Sequence, residues 1–177
     1  MADLLERWAA RLDTVNAAVG LTVRWVAVGM LVIQFASVVL RYVFGTSEIF
    51  VQESVLYLHA ALLMLGAGYT LAVEGHVRVD IFYGEASPRR KAAVDLIGTL
   101  VFLVPACVAI LRYSWPSMIR SWQILEGPIS VGGIPASFLL KSLIPAFAAL
   151  LLIQGAALAL RSAAVLAAGT TRESGTP

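Results

Sequence analysis

Ionisable residues cluster in the middle of this chain, in the segment EGHVRVDIFYGEASPRRK at 74–91. His76, Arg78 and Asp80 alternate with valines, and three basic residues close the segment: Arg89, Arg90 and Lys91. Histidine and carboxylate are common metal ligands. In an extended strand, however, Arg78 would point the same way as His76 and Asp80 and would repel a cation. On a helix His76 and Asp80 would meet, but two ligands do not make a metal site.

Haem binding by the chain alone is excluded by its two histidines, His59 and His76. On one helix they would lie about 25 Å apart, at 1.5 Å per residue, and one iron cannot take both as axial ligands. A haem shared with another subunit stays open. The sequence has no Gly-rich phosphate loop, no G-x-S-x-G and no H-E-x-x-H motif. We expect no catalytic residue, no metal site and no cofactor.

Composition places the chain in a membrane. Hydrophobic residues make up 59% of its 177 residues and charged ones 14%, with a mean hydropathy of +0.84. The apolar residues fall into runs of about the 20 residues that a helix needs to cross a bilayer, without the alternation of a barrel strand. The sequence predicts an all-α integral membrane protein with four transmembrane helices in one domain, 1–165, before a disordered tail, 166–177. The expected spans are about 15–44, 49–73, 91–112 and 139–162.

Two stretches beside the spans favour short amphipathic helices in the membrane interface. Residues 1–14 carry both acidic and basic side chains and lack a small-residue cleavage site, so we do not expect a signal peptide. Their apolar stripe favours an interfacial helix, or an extension of the first span. In 114–138, tryptophans recur at helical spacing after Pro116, which predicts a short interfacial helix followed by a Gly/Pro-rich loop.

The distribution of Lys and Arg orients the chain. More basic residues lie on the side of both termini than on the other side, and the richer side is expected to face the cytoplasm. The inner group is Arg7, Arg11, Arg78, Arg89, Arg90, Lys91, Arg161 and Arg172; the outer group is Arg41, Arg112, Arg120 and Lys141. Both termini and the 74–91 segment are therefore expected to be cytoplasmic.

Polar residues inside the spans do not form a transport pathway. Glu53 and His59 lie in the second span, and Gln34 and Gln154 are the only candidates for a third relay group, although neither can carry a proton as acid or base. No cluster of charges marks the membrane centre. Small residues around Gly66 allow close approach of another helix, or are simply tolerated in lipid. We do not expect transport by this chain alone.

The second span and its exit resemble a known family. Residues 52–83, QESVLYLHAALLMLGAGYTLAVEGHVRVDIFY, are similar to the signature of the small membrane subunit (DctQ type) of tripartite ATP-independent periplasmic (TRAP) transporters. The matching residues are Glu53, Gly66, Ala67, Tyr69, Gly75, His76, Val77, Arg78, Val79 and Asp80. RYVFG, SPRRK and GGIPASFLLKSLIP also look like the family, especially its mannitol/chloroaromatic branch. One departure is TSEIFVQ, which stands where the family commonly has a Trp before the Glu.

The resemblance implies a subunit with no enzymatic activity of its own in a bacterial inner membrane. It would brace a large permease subunit (DctM type), which carries the substrate and sodium sites. A periplasmic binding protein would deliver an organic acid to the pair. Membrane lipids are the other expected partners, and no nucleic acid is expected. A stand-alone four-helix membrane enzyme or a cytochrome-type membrane-anchor subunit is the alternative.

Roles for individual residues follow from their placement along the spans. The candidates for the large-subunit interface are Glu53, His59, Gly66 and Tyr69. His76, Arg78 and Asp80 would form a cytoplasmic elbow, and Arg89, Arg90 and Lys91 would hold it at the anionic inner surface. The candidates for the periplasmic face are Trp115, Arg120, Trp122 and Glu126.

Overall fold

The computed structural model describes residues 2–76, 83 and 85–173, and their regular structure is helical. Four helical stretches are long and apolar enough to cross a membrane: Leu4–Val43, Ile49–Ala72, Pro88–Gln123 and Ser137–Ala167. The predicted class, an all-α protein with four membrane-spanning helices, is confirmed. The individual helices are α1 (Ala2–Val43), α2 (Ile49–Ala72), α3 (Pro88–Gly98), α4 (Val104–Gln123) and α5 (Ser137–Glu173), and a π-helical turn, Thr99–Leu103, makes α3 and α4 continuous.

The separate interfacial helices expected from the sequence are absent from the described residues. The N-terminal stretch continues directly into the first span within α1, which is the second of the two alternatives. Pro116 lies inside α4 instead of opening a new helix. A proline can sit in a helix at the loss of one backbone hydrogen bond, that of its own missing N–H.

The end of α5 also differs from the expected disordered tail, 166–177. The helix runs to Glu173, and residues 174–177 lie outside the described part. The stretch AAVLAA before Gly169 is rich in alanine, the residue with the highest intrinsic helix propensity. Helix propagation through this stretch therefore carries α5 beyond the membrane span.

α5 is the helix on which the others assemble. It packs against α1, α2, α3 and α4, and α1 also packs against α2. In the described part of the chain, the continuous α3–α4 rod makes no contact with α1 or α2. The helices therefore form a three-helix group of α1, α2 and α5, with the α3–α4 rod packed on α5 alone, and not a closed four-helix bundle. This leaves one long side of α1, α2 and α4 uncovered.

A buried amide marks the junction of α1, α2 and α5. Asn16 is 0% exposed, and its Nδ2 donates to Gln154 Oε1 at 2.9 Å and to the Leu150 carbonyl at 3.3 Å. Gln154 Nε2 donates to Asp13 Oδ1 at 2.9 Å, and Arg161 pairs with the same carboxylate. Polar contacts of this kind hold helices together where apolar burial gives no driving force.

The absence of a side chain at Gly68 leaves room for Asn16 in this junction. A Cβ at Gly68 would lie 2.2 Å from Asn16 Oδ1 and 3.2 Å from the Cβ of Leu150. The first separation is too short for any side chain, so the close approach of α2 to α1 and α5 requires glycine.

We expect Gly68→Ala to destabilise the chain by about 1–3 kcal/mol, because the added methyl group overpacks the junction. The measurement is the thermal unfolding midpoint of the purified chain in detergent. Gly98→Ala is the matched control, since a Cβ there meets nothing within 4 Å and alanine favours helix. Equal midpoints for the two variants would contradict the overpacking.

Candidate functional site

A buried carboxylate ties the loop between α4 and α5 to α2. Glu53, in the second turn of α2, is 6% exposed. Its Oε1 accepts a hydrogen bond from the Ser130 N–H at 3.0 Å, and its Oε2 accepts one from the Ile134 N–H at 2.7 Å. Burial of a carboxylate is unfavourable unless such donors satisfy it, and hydrogen bonds to a charged acceptor are the stronger kind. Glu53 therefore fixes the position of the loop.

The loop backbone is shaped to reach this carboxylate. The Gly133 N–H donates to the Ser130 carbonyl at 3.0 Å, which closes a turn. Gly132 has φ +84°, and a Cβ at Gly133 would lie 2.2 Å from Glu53 Oε2. Glycine is favoured at 132 by the left-handed backbone conformation, and at 133 by the close approach of the Glu53 side chain.

The end of α4 holds a leucine in a conformation that favours glycine. Leu125 has φ +43°, and the next N–H, that of Glu126, donates to the Ser121 carbonyl at 3.0 Å. This is the hydrogen bond of a Schellman-type helix end, whose left-handed residue is usually glycine. Bulky side chains are rare in this region of the backbone map, so Leu125 is strained.

Side chains on α5 hold the strained segment in place. The Glu126 carboxylate accepts hydrogen bonds from Lys141 and Ser121. These two donors lower the pKa of Glu126 below its ordinary value. Trp122 Nε1 donates to Ser142 Oγ at 2.8 Å, and the Trp122 ring lies 4.7 Å from that of Phe138. Both ends of the loop are thus fastened to helices.

The fastened loop presents apolar side chains to its surroundings. Val131 is 94% exposed, and three more large apolar residues of the segment are exposed with it. We call this group the loop patch: Ile124, Leu125, Ile129 and Val131. It lies between the ends of α4 and α5, outside the helical spans. Apolar residues grouped on a surface outside the bilayer core are typical of an interaction site.

Most of the residues expected to face a large subunit are used inside this chain. Glu53, a candidate for the large-subunit interface, is buried against the loop of its own chain. Gly66 lies near Val23 of α1, and the Tyr69 ring packs over Gly20, where a Cβ would lie 2.3 Å from it. Tyr69 keeps part of its surface exposed, and His59 is exposed. The sequence could not show which residues of the second span pack inside this chain. Gly66 and Tyr69 pack against α1.

The elbow residues are described only in part. His76 is exposed just past the end of α2, and Arg78 and Asp80 lie outside the described residues. Arg89, Arg90 and Lys91 occupy the first turn of α3 after Pro88. The Lys91 ammonium lies 5.3 Å from the centre of the Tyr83 ring, and the Tyr83 hydroxyl donates to Asp95 Oδ2 at 2.7 Å. The start of α3 is therefore tied to the segment before it.

The four residues expected on the periplasmic face all lie in the second half of α4 or just beyond it. Trp115 and Arg120 are exposed, and Trp122 and Glu126 bind side chains of α5 and so fasten the start of the loop. The sequence did not single out Leu125 or the two loop amides that bind Glu53, and it gave Lys141 only as an outer basic residue. The sequence does carry one indication of the two loop amides. GPISVGGIP has glycines at the place where the loop backbone approaches the carboxylate.

No group of three or more His, Cys, Asp or Glu side chains that could hold a metal ion occurs among the described residues. The polar side chains with described partners bind other parts of the same chain. The fold and the loop together define a class: a multi-pass membrane protein whose buried polar groups hold its own architecture and an external loop.

Comparison with protein families identifies the chain further. The family described as tripartite ATP-independent periplasmic transporters, DctQ component, matches residues 30–165. This is more than half of the chain, which therefore belongs to the DctQ family. No curated protein and no solved structure matches it. This family consists of small subunits of TRAP transporters, which are transporter components and not an enzyme family. Membership, together with the four apolar helices, supports a multi-pass protein of the inner membrane.

We expect Glu53→Ala to release the loop, because the Ser130 and Ile134 N–H groups lose their acceptor at a cost of about 1–3 kcal/mol. Hydrogen exchange at these two amides, measured by mass spectrometry on the full chain in detergent, should become at least about tenfold faster. Glu48→Ala is the matched control, since Glu48 precedes α2 with no side-chain capping bond. Unchanged exchange in Glu53→Ala would contradict the role of this carboxylate.

The Glu126 contacts should make stability depend on pH. A carboxylate whose folded-state pKa is lowered stabilises the fold above its ordinary pKa, and this contribution is lost as the pH falls through the lowered pKa. We therefore expect the difference in unfolding midpoint between the natural chain and Glu126→Gln to shrink on acidification below the ordinary value of 4.5. Thermal unfolding at several pH values measures it. A difference that is constant with pH would exclude this contribution.

Proposed function

We propose that this chain is the scaffold subunit that braces the large permease subunit and helps to dock the periplasmic binding protein. The complete transporter would take up an organic acid by sodium coupling. The observation that carries the docking role is the loop patch, which two carboxylates, Glu53 and Glu126, hold in a fixed conformation. A docking surface of this kind loses little conformational freedom on binding.

The proposed orientation places both termini in the cytoplasm and the loop patch in the periplasm. The excess of Lys and Arg on the side of the termini supports it. The ion pair between Asp13 of α1 and Arg161 of α5 supports a shared location for the two ends of the chain. In this orientation Arg89, Arg90 and Lys91 would bind anionic headgroups of the inner leaflet.

The scaffolding role follows from what the described part of the chain exposes and what it lacks. Large apolar side chains are exposed along α1, α2 and α4, and no group of three or more His, Cys, Asp or Glu side chains that could hold a metal ion occurs among the described residues. We assign the substrate and ion sites to the large subunit, as the family resemblance implies. His59 and the exposed edge of Tyr69 stay candidates for contact with it.

Leu125→Gly should separate stability from docking. Glycine relieves the left-handed backbone, which stabilises the helix end by up to about 1 kcal/mol, and it also removes part of the loop patch. We expect an unchanged or higher unfolding midpoint, normal recovery of the large subunit, and weaker association of the binding protein. Uptake driven by the binding protein in proteoliposomes, together with its affinity for the reconstituted complex, measures the effect.

Glu74→Gly is the matched control. Glu74 also has a positive φ, +54°, but it lies at the other end of α2, beyond Ala72. We expect this variant to leave the affinity for the binding protein unchanged. Equal affinities for Leu125→Gly and the natural chain would contradict docking at the loop patch.

A further inference from the structure

One charged residue lies within the membrane-spanning part of α1. Arg24 is the only Asp, Glu, Lys or Arg between Asp13 and Arg41. At 1.5 Å per residue, Arg24 is about 16 Å along the axis from Asp13 and about 26 Å from Arg41. Its neighbour Val23 packs toward Gly66 in the span of α2. Arg24 therefore lies well inside the apolar part of the helix.

The Arg24 side chain is exposed and has no acidic partner within the part of the chain that is described. Its guanidinium carbon lies 5.7 Å from the centre of the Trp25 ring, and Trp25 is itself 66% exposed. The described ion pairs join other residues, Lys141 with Glu126 and Arg161 with Asp13. An exposed arginine at this depth is unfavourable in lipid and marks a functional position.

Arg24 belongs to a continuous apolar face of α1. Val28, Leu31 and Phe35 follow it at i+4, i+7 and i+11, the spacing of residues on one side of a helix, and all three are exposed. Arg24, Trp25 and Val28 line an open groove of about 420 Å³. A groove of this size can receive a side chain from a neighbouring helix.

We propose that this face of α1 binds a transmembrane helix of the large subunit, and that an Asp or Glu of that helix pairs with Arg24. The inference rests on the proposed function and names the surface by which scaffolding occurs. A carboxylate would supply the negative charge that no described residue of this chain brings to Arg24. Its two oxygens form a planar pair of acceptors suited to guanidinium. The apolar residues on either side of Arg24 would exclude water from the pair.

A phospholipid headgroup is the competing source of negative charge. Phosphates lie beyond the hydrocarbon core, whereas Arg24 lies 11 residues beyond Asp13 in α1, and its guanidinium carbon lies 5.7 Å from the centre of the Trp25 ring. The distance of about 16 Å to Asp13, the nearer charged residue of α1, exceeds the reach of an arginine side chain. The geometry therefore favours a partner residue at the depth of Arg24.

The test is recovery of the large subunit when it is co-expressed with this chain and the pair is purified through a tag on this chain. We expect Arg24→Glu and Arg24→Leu each to lower recovery by at least about tenfold, because the partner carboxylate is left unpaired. Arg24→Lys should retain more than either. Arg24→Leu guards against a failure of insertion, since leucine is favourable in a span, and immunoblots of membranes report the amount of each variant.

Arg7→Glu is the matched control, since Arg7 is also exposed on α1 but lies near its start, about 25 Å along the axis from Arg24. It should leave recovery within about twofold. In the Arg24→Glu background, changing one intramembrane Asp or Glu of the large subunit to Arg should restore recovery.

The outcomes separate the two proposals. If the natural chain recovers the large subunit and the Arg24 variants recover as much, the Arg24 inference is overturned while the scaffold role stands. Loss of co-purifying anionic phospholipid from the Arg24 variants, with recovery unchanged, would assign the residue to lipid and overturn it too. If the natural chain recovers no large subunit, the proposed function itself fails.

Discussion

The hydrogen bond between Asn16 and Gln154 is the contact on which the arrangement of helices depends. Lipid is as apolar as the helix surfaces, so apolar burial alone does not choose partners within a membrane. A buried amide does, because its N–H groups need acceptors. Asn16 meets Gln154 of α5 while it fills the space that Gly68 leaves on α2. One polar group thus specifies three helices.

The open arrangement follows from this junction. α1 and α2 pack on each other and on α5, and among the described residues the α3–α4 rod packs on α5 alone. A closed bundle would hide most of its apolar side chains, whereas this arrangement leaves those of α1, α2 and α4 in contact with lipid or another protein. Such an exposed apolar surface is consistent with the bracing role proposed above.

Much of the fold could be predicted from the sequence, because a run of about 20 apolar residues has few alternatives to a transmembrane helix. The site could not be predicted to the same degree. Glu53 was identified as a residue of interest, but its partners are amides of a loop some 80 positions later in the chain, and periodicity carries no information about such a pairing. Leu125 gave no signal, since nothing in the sequence shows that it has a positive φ.

The placement of strain and hydrogen bonds in the loop argues for recognition rather than mere connection. A connection between α4 and α5 requires only a reversal of direction, which glycine at position 125 would achieve without strain. Instead the chain keeps a leucine there and secures its surroundings with the Glu126 and Glu53 carboxylates. Strained residues that persist in this way are concentrated where a protein binds or reacts. The exposed Leu125 side chain, which belongs to the loop patch, is consistent with the docking surface proposed above.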